Sequence, residues 1–292
     1  MKLFVFGLGY SARRFAARFM GERIVGTTRA PERAKAAGAR FEILAFDGAH
    51  ADPTIPARLG ESDILLASIA PGENGDPALA HFAPAIAGSH WRAIVYLSTV
   101  GVYGDCQGDW VDEGSVTRPV SARSRARLAA EEDWRGLGRT IGAPVHILRL
   151  AGIYGPGRNA LVNLRDGVAR RIVKRGQVFN RVHVDDIAQA IGLAIEAGER
   201  RGNWQEIWNV ADDEPAPPED VLAFAAQLLD MPPPPEIPFE RAQLSPLARS
   251  FYEENRRVSN AKLKRELGFE PLYPTFREGL RALAESGEGR LA

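Results

Sequence analysis

Lys2-Leu3-Phe4-Val5-Phe6-Gly7-Leu8-Gly9-Tyr10-Ser11-Ala12 is the stretch that decides the fold. A short apolar run before two glycines reads as a strand, and from Ser11 to Met20 apolar residues recur at helical spacing. Strand, turn and helix follow one another within twenty residues. At their junction Gly7, Gly9 and Ala12 fit the pattern G-x-G-x-x-G/A. The first glycine permits a tight turn, the second lets backbone approach a pyrophosphate, and a small third residue lets the helix pack against the sheet. The helix start then offers unpaired N–H groups to phosphates. Gly7, Leu8, Gly9, Tyr10, Ser11 and Ala12 are therefore the candidate dinucleotide loop, the alternative being a plain glycine turn.

Working outward, Ile24-Val25, Phe41 to Phe46, Ile64 to Ser68, Ala93 to Ser98 and Val145 to Leu150 read as further strands. Helix-compatible stretches, Ser124 to Leu137 among them, separate most of these strands. Such alternation means an α/β fold of Rossmann type, a doubly wound parallel sheet, with a smaller C-terminal substrate lobe. Residues 1–155 are expected to form the nucleotide-binding domain, and 180–200 to return to it through the helical Val184 to Ala197. Residues 156–179 and 201–292 are expected to form the lobe, with helices near Glu219 to Leu229 and Asn260 to Leu267. Pro232 to Pro235 cannot lie inside a helix and read as a stiff connector.

The 292 residues carry 37 basic and 37 acidic side chains, and this balance argues against nucleic acid as the main partner. Hydrophobic residues at 45% and charged residues at 25% are those of an ordinary globular chain. No window approaches the roughly 20 apolar residues of a membrane span, and Met1-Lys2 leads into a strand instead of a signal peptide. A cytoplasmic protein with no membrane partner is expected. The single cysteine, Cys106, excludes an internal disulfide, and no Cys or His pair stands at metal-ligand spacing. His183-Val184-Asp185-Asp186 is too compact on an emerging helix to converge on one ion, so no metal is expected. The expected partner is a small-molecule substrate, and a homodimer is the one assembly left open.

An NAD site places an Asp or Glu at the end of the second strand, where it binds the ribose 2′-hydroxyl. Here the strand runs Ile24-Val25-Gly26-Thr27-Thr28-Arg29 and the acid is missing. Thr28, Arg29 and Arg33 can instead hold a 2′-phosphate, so NADP is favoured over NAD; otherwise both arginines are solvated helix-start charges. Asp47 follows the third strand, where it could reach the adenine amino group or cap its own loop.

Further along stand Leu97-Ser98-Thr99-Val100-Gly101-Val102-Tyr103-Gly104, Leu148-Arg149-Leu150-Ala151-Gly152-Ile153-Tyr154-Gly155-Pro156-Gly157 and Val182-His183-Val184-Asp185-Asp186-Ile187-Ala188. Ser259-Asn260-Ala261-Lys262, Glu266-Leu267-Gly268-Phe269 and Pro271 complete the series. In this order, with the N-terminal glycines, the chain resembles the extended short-chain dehydrogenase/reductases, the NAD-dependent epimerase/dehydratase superfamily, over nearly its whole length. The resemblance implies a Ser or Thr that polarises the substrate oxygen, a Tyr that exchanges its proton, and a Lys that lowers the Tyr pKa and holds the nicotinamide ribose. Thr99 matches the hydroxyl, with Ser98 beside it.

The Tyr-x-x-x-Lys pair is absent: no tyrosine lies between Tyr103 and Tyr154, and no lysine between Lys35 and Lys174. Alignment on Glu131 puts Arg123 at the Tyr position and Arg127 at the Lys position, and a second register gives Ser121 and Arg125. Arginine is a poor proton donor near neutrality. Tyr103 and Tyr154 become the substitute acids, and the combination resembles a bacterial atypical branch that lacks the pair. The same resemblance implies that Asp185 or Asp186 caps a helix and that His183 lines or braces the pocket. It also implies that Asn163, Arg165 and the span Gln177 to Arg181 face the substrate's tail. Three functions stay open: hydride transfer between nicotinamide and a carbonyl, alcohol or sugar carbon; a non-catalytic NADP(H) sensor or scaffold; and epimerisation or dehydration of a nucleotide sugar.

Overall fold

The computed structural model describes residues 1–36, 41–201 and 205–290. Its main sheet has seven strands in the order Gln205–Val210, Val145–Leu150, Ala93–Thr99, Ile64–Ala67, Lys2–Phe6, Arg23–Thr28, Glu42–Ala45. Lys2–Phe6 pairs in parallel on both sides, Phe4 lying opposite Val25 on one neighbour and Leu65 on the other. Strands covered on both faces have no polar side to show, which is why these segments read as apolar runs instead of alternating ones. Strand order reverses beside Lys2–Phe6, and in such sheets ligands bind outside the carboxyl ends of the strands at that point.

The chain divides into two compact units. The first comprises Met1–Thr99, Ala122–Arg149 and Ile187–Trp208. Its core packs Phe4, Phe6, Phe46 and Phe82, the last lying 5.4 Å from Phe6 and 5.3 Å from Phe46 between ring centroids. Asp76 caps the Pro77–Ala87 helix by accepting from the N–H groups of Ala78 at 2.8 Å and Leu79 at 3.3 Å. Its second oxygen accepts from the indole of Trp134 at 3.0 Å, which ties this cap to the long Ala122–Ile141 helix.

Two local expectations change here. The first helix closes at Ala16 instead of Met20, because the N–H groups of Arg18 and Phe19 turn to carbonyls three residues back. Met20 is 95% exposed, so another turn would bury nothing. The edge strand Gln205–Val210 had no clear signature in sequence, since half of its six residues are polar.

The second unit comprises Val100–Ser121, Leu150–Asp186 and Asn209–Ala292, so residues 100–121 and 150–155 group with it. It contains three short parallel pairs: Gly152–Tyr154 with Arg181–His183, Arg171–Val173 with Glu236–Pro238, and Trp110–Val111 with Arg257–Val258. One of its cores joins Tyr154, Leu161 and Leu164 to Ala225 of the Pro218–Leu228 helix and to Phe276 and Leu280 of the Phe276–Glu285 helix. A capping box between Thr275 and Glu278 starts that last helix. Pro232 to Pro235 run without regular structure into the Glu236–Pro238 strand.

The expected aspartate cap of the Val184–Arg201 helix takes another form. His183 Nδ1 accepts from the N–H of Asp185 at 3.2 Å, a bond of the kind expected from a cap. Asp186 reaches away and accepts from the N–H groups of Leu272 at 2.6 Å and Tyr273 at 3.3 Å. It therefore fastens a remote loop. Among the described residues no helix is long and apolar enough to cross a membrane, and no group of three or more His, Cys, Asp and Glu side chains is placed to hold a metal.

Candidate functional site

The glycine turn sits at the carboxyl end of the central strand. Gly7 has φ +86°, which only glycine adopts without strain, and a Cβ there would lie 2.8 Å from a side-chain carbon of Ile69. Thr27, fully buried, holds the turn: its hydroxyl accepts from the Gly7 N–H at 2.9 Å and its carbonyl from the Leu8 N–H at 2.8 Å. Sequence reading missed this residue. The available signal was a polar side chain two positions after Val25, on a short strand next to the glycine turn.

Leu8 lies buried across Gly26, where a Cβ would come within 2.3 Å of it. Over Gly9, by contrast, a Cβ would meet nothing within 4 Å, so backbone faces open space where a pyrophosphate would have to approach. Ser11 and Ala12 are buried under the helix and Tyr10 is half-buried. Arg13 closes the turn with an Nε bond to the Leu8 carbonyl at 2.7 Å.

Thr28 and Asp47 stand at the ends of adjacent parallel strands, joined by the Phe46 N–H to Thr28 carbonyl bond of 3.0 Å. Arg29 and Arg33 are exposed and form no ion pair or side-chain hydrogen bond among the described residues. Asp47 is committed to its own turn: it accepts from the N–H groups of Ala49 at 2.8 Å and His50 at 2.7 Å. These bonds hold its carboxyl down at about 2.

The strand-end hydroxyls separate in role. Ser98 donates to Glu131, and Glu131 is also gripped by Arg149, whose Nη2 stands 2.7 Å and Nε 3.1 to 3.2 Å from the carboxylate oxygens. All three residues are at most 5% exposed. This buried triad ties the Ala93–Thr99 and Val145–Leu150 strands to the Ala122–Ile141 helix. Ser98 is thereby committed to Glu131, and half-buried Thr99 remains as the hydroxyl at the strand end.

Arg127 does place a cation at the carboxyl end of the sheet. Its Nη1 donates to the carbonyls of Leu97 at 2.8 Å and Ile69 at 3.4 Å and to the Tyr96 hydroxyl at 3.2 Å. Burial pushes the Tyr96 phenol far above its ordinary range, so it stays protonated near neutrality. Arg123 is an exposed residue in the first turn of the same helix.

In the second unit Tyr103 is fully buried and donates to the Asn209 side chain at 2.8 Å, which makes it a structural hydroxyl. Tyr154 is buried with its hydroxyl 3.5 Å from the Thr275 carbonyl, and burial raises its pKa well above that of an ordinary phenol. The Tyr154 environment does not make a phenol that gives up its proton near neutrality. Cys106 is likewise shifted up by burial, the reverse of an activated thiol. Of the residues expected to face a substrate tail, Asn163 and Arg181 line a cavity of about 490 Å³. Arg165 pairs on the surface with Asp166 at 2.8 Å, and buried Gln177 donates to the Glu254 carbonyl at 2.8 Å.

Comparisons with known proteins agree with this arrangement. Protein YeeZ of Escherichia coli K12 is 32% identical over 223 residues, covering 76% of this chain and 70% of its own length. A 3-diazoavenalumate denitrifying reductase of a Streptomyces species is 30% identical over 59% of this chain, and the match spans 55% of that enzyme. Among solved structures, a conserved protein of unknown function from Silicibacter pomeroyi is 43% identical, covers 98% of this chain and 99% of its own, and superposes with a TM-score of 0.86. The model of the NAD dependent epimerase/dehydratase family matches residues 81–211, the region of the strand-end hydroxyls, the buried triad and the His183 segment. Sheet, motif order and relatives converge, and the chain belongs to the NAD-dependent epimerase/dehydratase family of extended short-chain dehydrogenase/reductases.

Proposed function

We propose that the protein is an NADP-dependent oxidoreductase acting on a small carbonyl, alcohol or sugar-type substrate. The observation that carries this reading is the first unit's dinucleotide cradle. Gly7 makes the tight turn, Gly9 leaves backbone open to a pyrophosphate, and the second strand ends in Thr28 and Arg29 where an NAD site would carry an acid. Arg29 and Arg33 are exposed and held by no internal partner among the described residues, so both can turn to a 2′-phosphate. When bound, the dinucleotide supplies the hydride acceptor or donor; Thr99 polarises the substrate oxygen, and Arg127 keeps positive charge beside the strand end. The Streptomyces relative, named as a reductase, supports the redox class.

Calorimetric titration with NADPH and NADH tests the premise. NADPH should bind more tightly, and Arg29→Ala should weaken it by about 10- to 100-fold, the loss of a charge-assisted hydrogen bond of roughly 1.5 to 3 kcal/mol. The same variant should leave NADH unchanged. If cofactor-free protein binds neither dinucleotide, the reading falls. With a turnover assay from a carbonyl panel, Thr99→Val should slow the reaction at least about tenfold. An unchanged rate would remove Thr99 from the chemistry.

A second reading is a non-catalytic NADP(H) sensor. The commitments of Tyr103, Tyr154 and Arg127 favour it, because they leave the family's proton-transfer position without a ready acid. Tight NADPH binding with no turnover across the panel would select it. A nucleotide-sugar epimerase or dehydratase is the remaining family chemistry, and it would be marked by dinucleotide that stays bound through purification.

A further inference from the structure

The cavity in the second unit has a volume of about 490 Å³, within the range of small-molecule sites. Its lining includes three arginines, Arg158, Arg170 and Arg181, and no aspartate or glutamate. Its floor is apolar, formed by Leu222, Phe276 and Leu280. Positive charge over an apolar floor is the complement of an organic acid.

Arg181 gives the charge its direction. It is half-buried, and its Nη1 donates to the carbonyls of Phe179 at 2.9 Å and Ala216 at 3.1 Å. Among the described residues Nε and Nη2 have no hydrogen-bond partner, and no carboxylate comes within the 4.0 Å of an ion pair. The acid nearest in influence, Asp212, is buried and pushed up to about 8, so near neutrality it is largely uncharged and does not balance the guanidinium. Burial lowers the pKa of Arg181 itself, and the neighbouring Asp212, Tyr154 and Glu214 offset only part of that shift. A half-buried guanidinium whose Nε and Nη2 are left open at the cavity gains a charge-assisted pair from an anion that enters it.

We propose that this cavity binds a small organic acid, its carboxylate held by Arg181 with Arg158 and Arg170 at the rim, and its apolar body laid on Leu222, Phe276 and Leu280. The site lies wholly within the second unit, so it does not depend on the dinucleotide reading. If NADPH failed to bind, this proposal would stand.

The test is a calorimetric titration of the full chain with 4-phenylbutyrate, beside its neutral amide, phenyl phosphate, inorganic phosphate and UMP. The acid should bind at least about tenfold more tightly than the amide, since the amide forfeits a charge-assisted pair. Arg181→Gln should weaken the acid by about 10- to 100-fold. Because Arg181 is half-buried, the exposed-rim variants Arg158→Gln and Arg170→Gln serve as folded controls and should each weaken binding measurably. Val168→Trp, at a rim position 65% exposed, should block entry. Equal affinity for acid and amide, or affinity that survives all four substitutions, would overturn the proposal. Tighter binding of UMP, phenyl phosphate or inorganic phosphate would overturn the carboxylate in favour of a phosphate ligand.

Discussion

Arg149→Met is expected to lower the unfolding free energy by about 3 to 5 kcal/mol, the usual result of stranding one half of a buried ion pair. Arg149 and Glu131 are 4% and 2% exposed, and the guanidinium contacts both carboxylate oxygens. With Arg149 gone, Glu131 keeps only the Ser98 hydroxyl among the bonds described above. It must then hold a charge in a dry site or take up a proton, and either is unfavourable. Adding Glu131→Gln to Arg149→Met should restore at least about half of the loss, because a neutral amide still accepts from Ser98 and strands no charge. Urea unfolding of the wild type and both variants measures this. A single-variant loss below about 1 kcal/mol would show that the triad is dispensable.

The second large effect concerns pH. Asp212 accepts from the Glu214 N–H at 3.3 Å through one oxygen, while the other has no hydrogen-bond partner among the described residues. Burial, opposed only in part by Arg181, moves its pKa from 3.8 to about 8. Between those values the folded chain holds a proton that the unfolded chain releases. Stability from this group is therefore complete below about pH 4 and declines as pH rises toward 8, by at most about 1.4 kcal/mol per pH unit. Asp212→Asn carries no titrating proton, so its stability relative to wild type should increase steadily from pH 5 to pH 8. Unfolding midpoints at four pH values would show the two curves converging or crossing in that direction. Parallel curves would mean that Asp212 is ionised throughout.

Much of this molecule is legible because its signals are local. Gly7, Gly9 and Ala12 announce a strand-to-helix turn, and apolar runs such as Ile64–Ala67 announce buried parallel strands. Helix periodicity was equally clear where a face is buried, as in Ala122–Ile141 and Val184–Arg201. It failed at Arg18 to Met20, where Phe19 still packs on Phe15 but Met20 points into solvent and the chain turns out of the helix. The chain also declares its departures: the missing second-strand acid and the missing Tyr and Lys are facts of composition and order.

The roles of the candidate site residues were another matter. Ser98 and Thr99 are neighbours in sequence, yet one is bound to Glu131 33 positions away and the other is not part of that triad. Tyr103 reads as a substitute acid until Asn209, 106 positions on, accepts its hydroxyl's hydrogen bond. Asp47 could have served adenine or its own turn, and bonds to Ala49 and His50 show the turn. Which arginine lacks a counter-charge likewise depended on the loops that enclose Arg181 and Asp212. Turns and periodic faces depend on a few consecutive residues, so the sequence by itself determined the strand-turn-helix order and the nucleotide-type loop. Burial, hydrogen-bond partners and pKa depend on what distant segments bring into contact, and only the tertiary structure decided those.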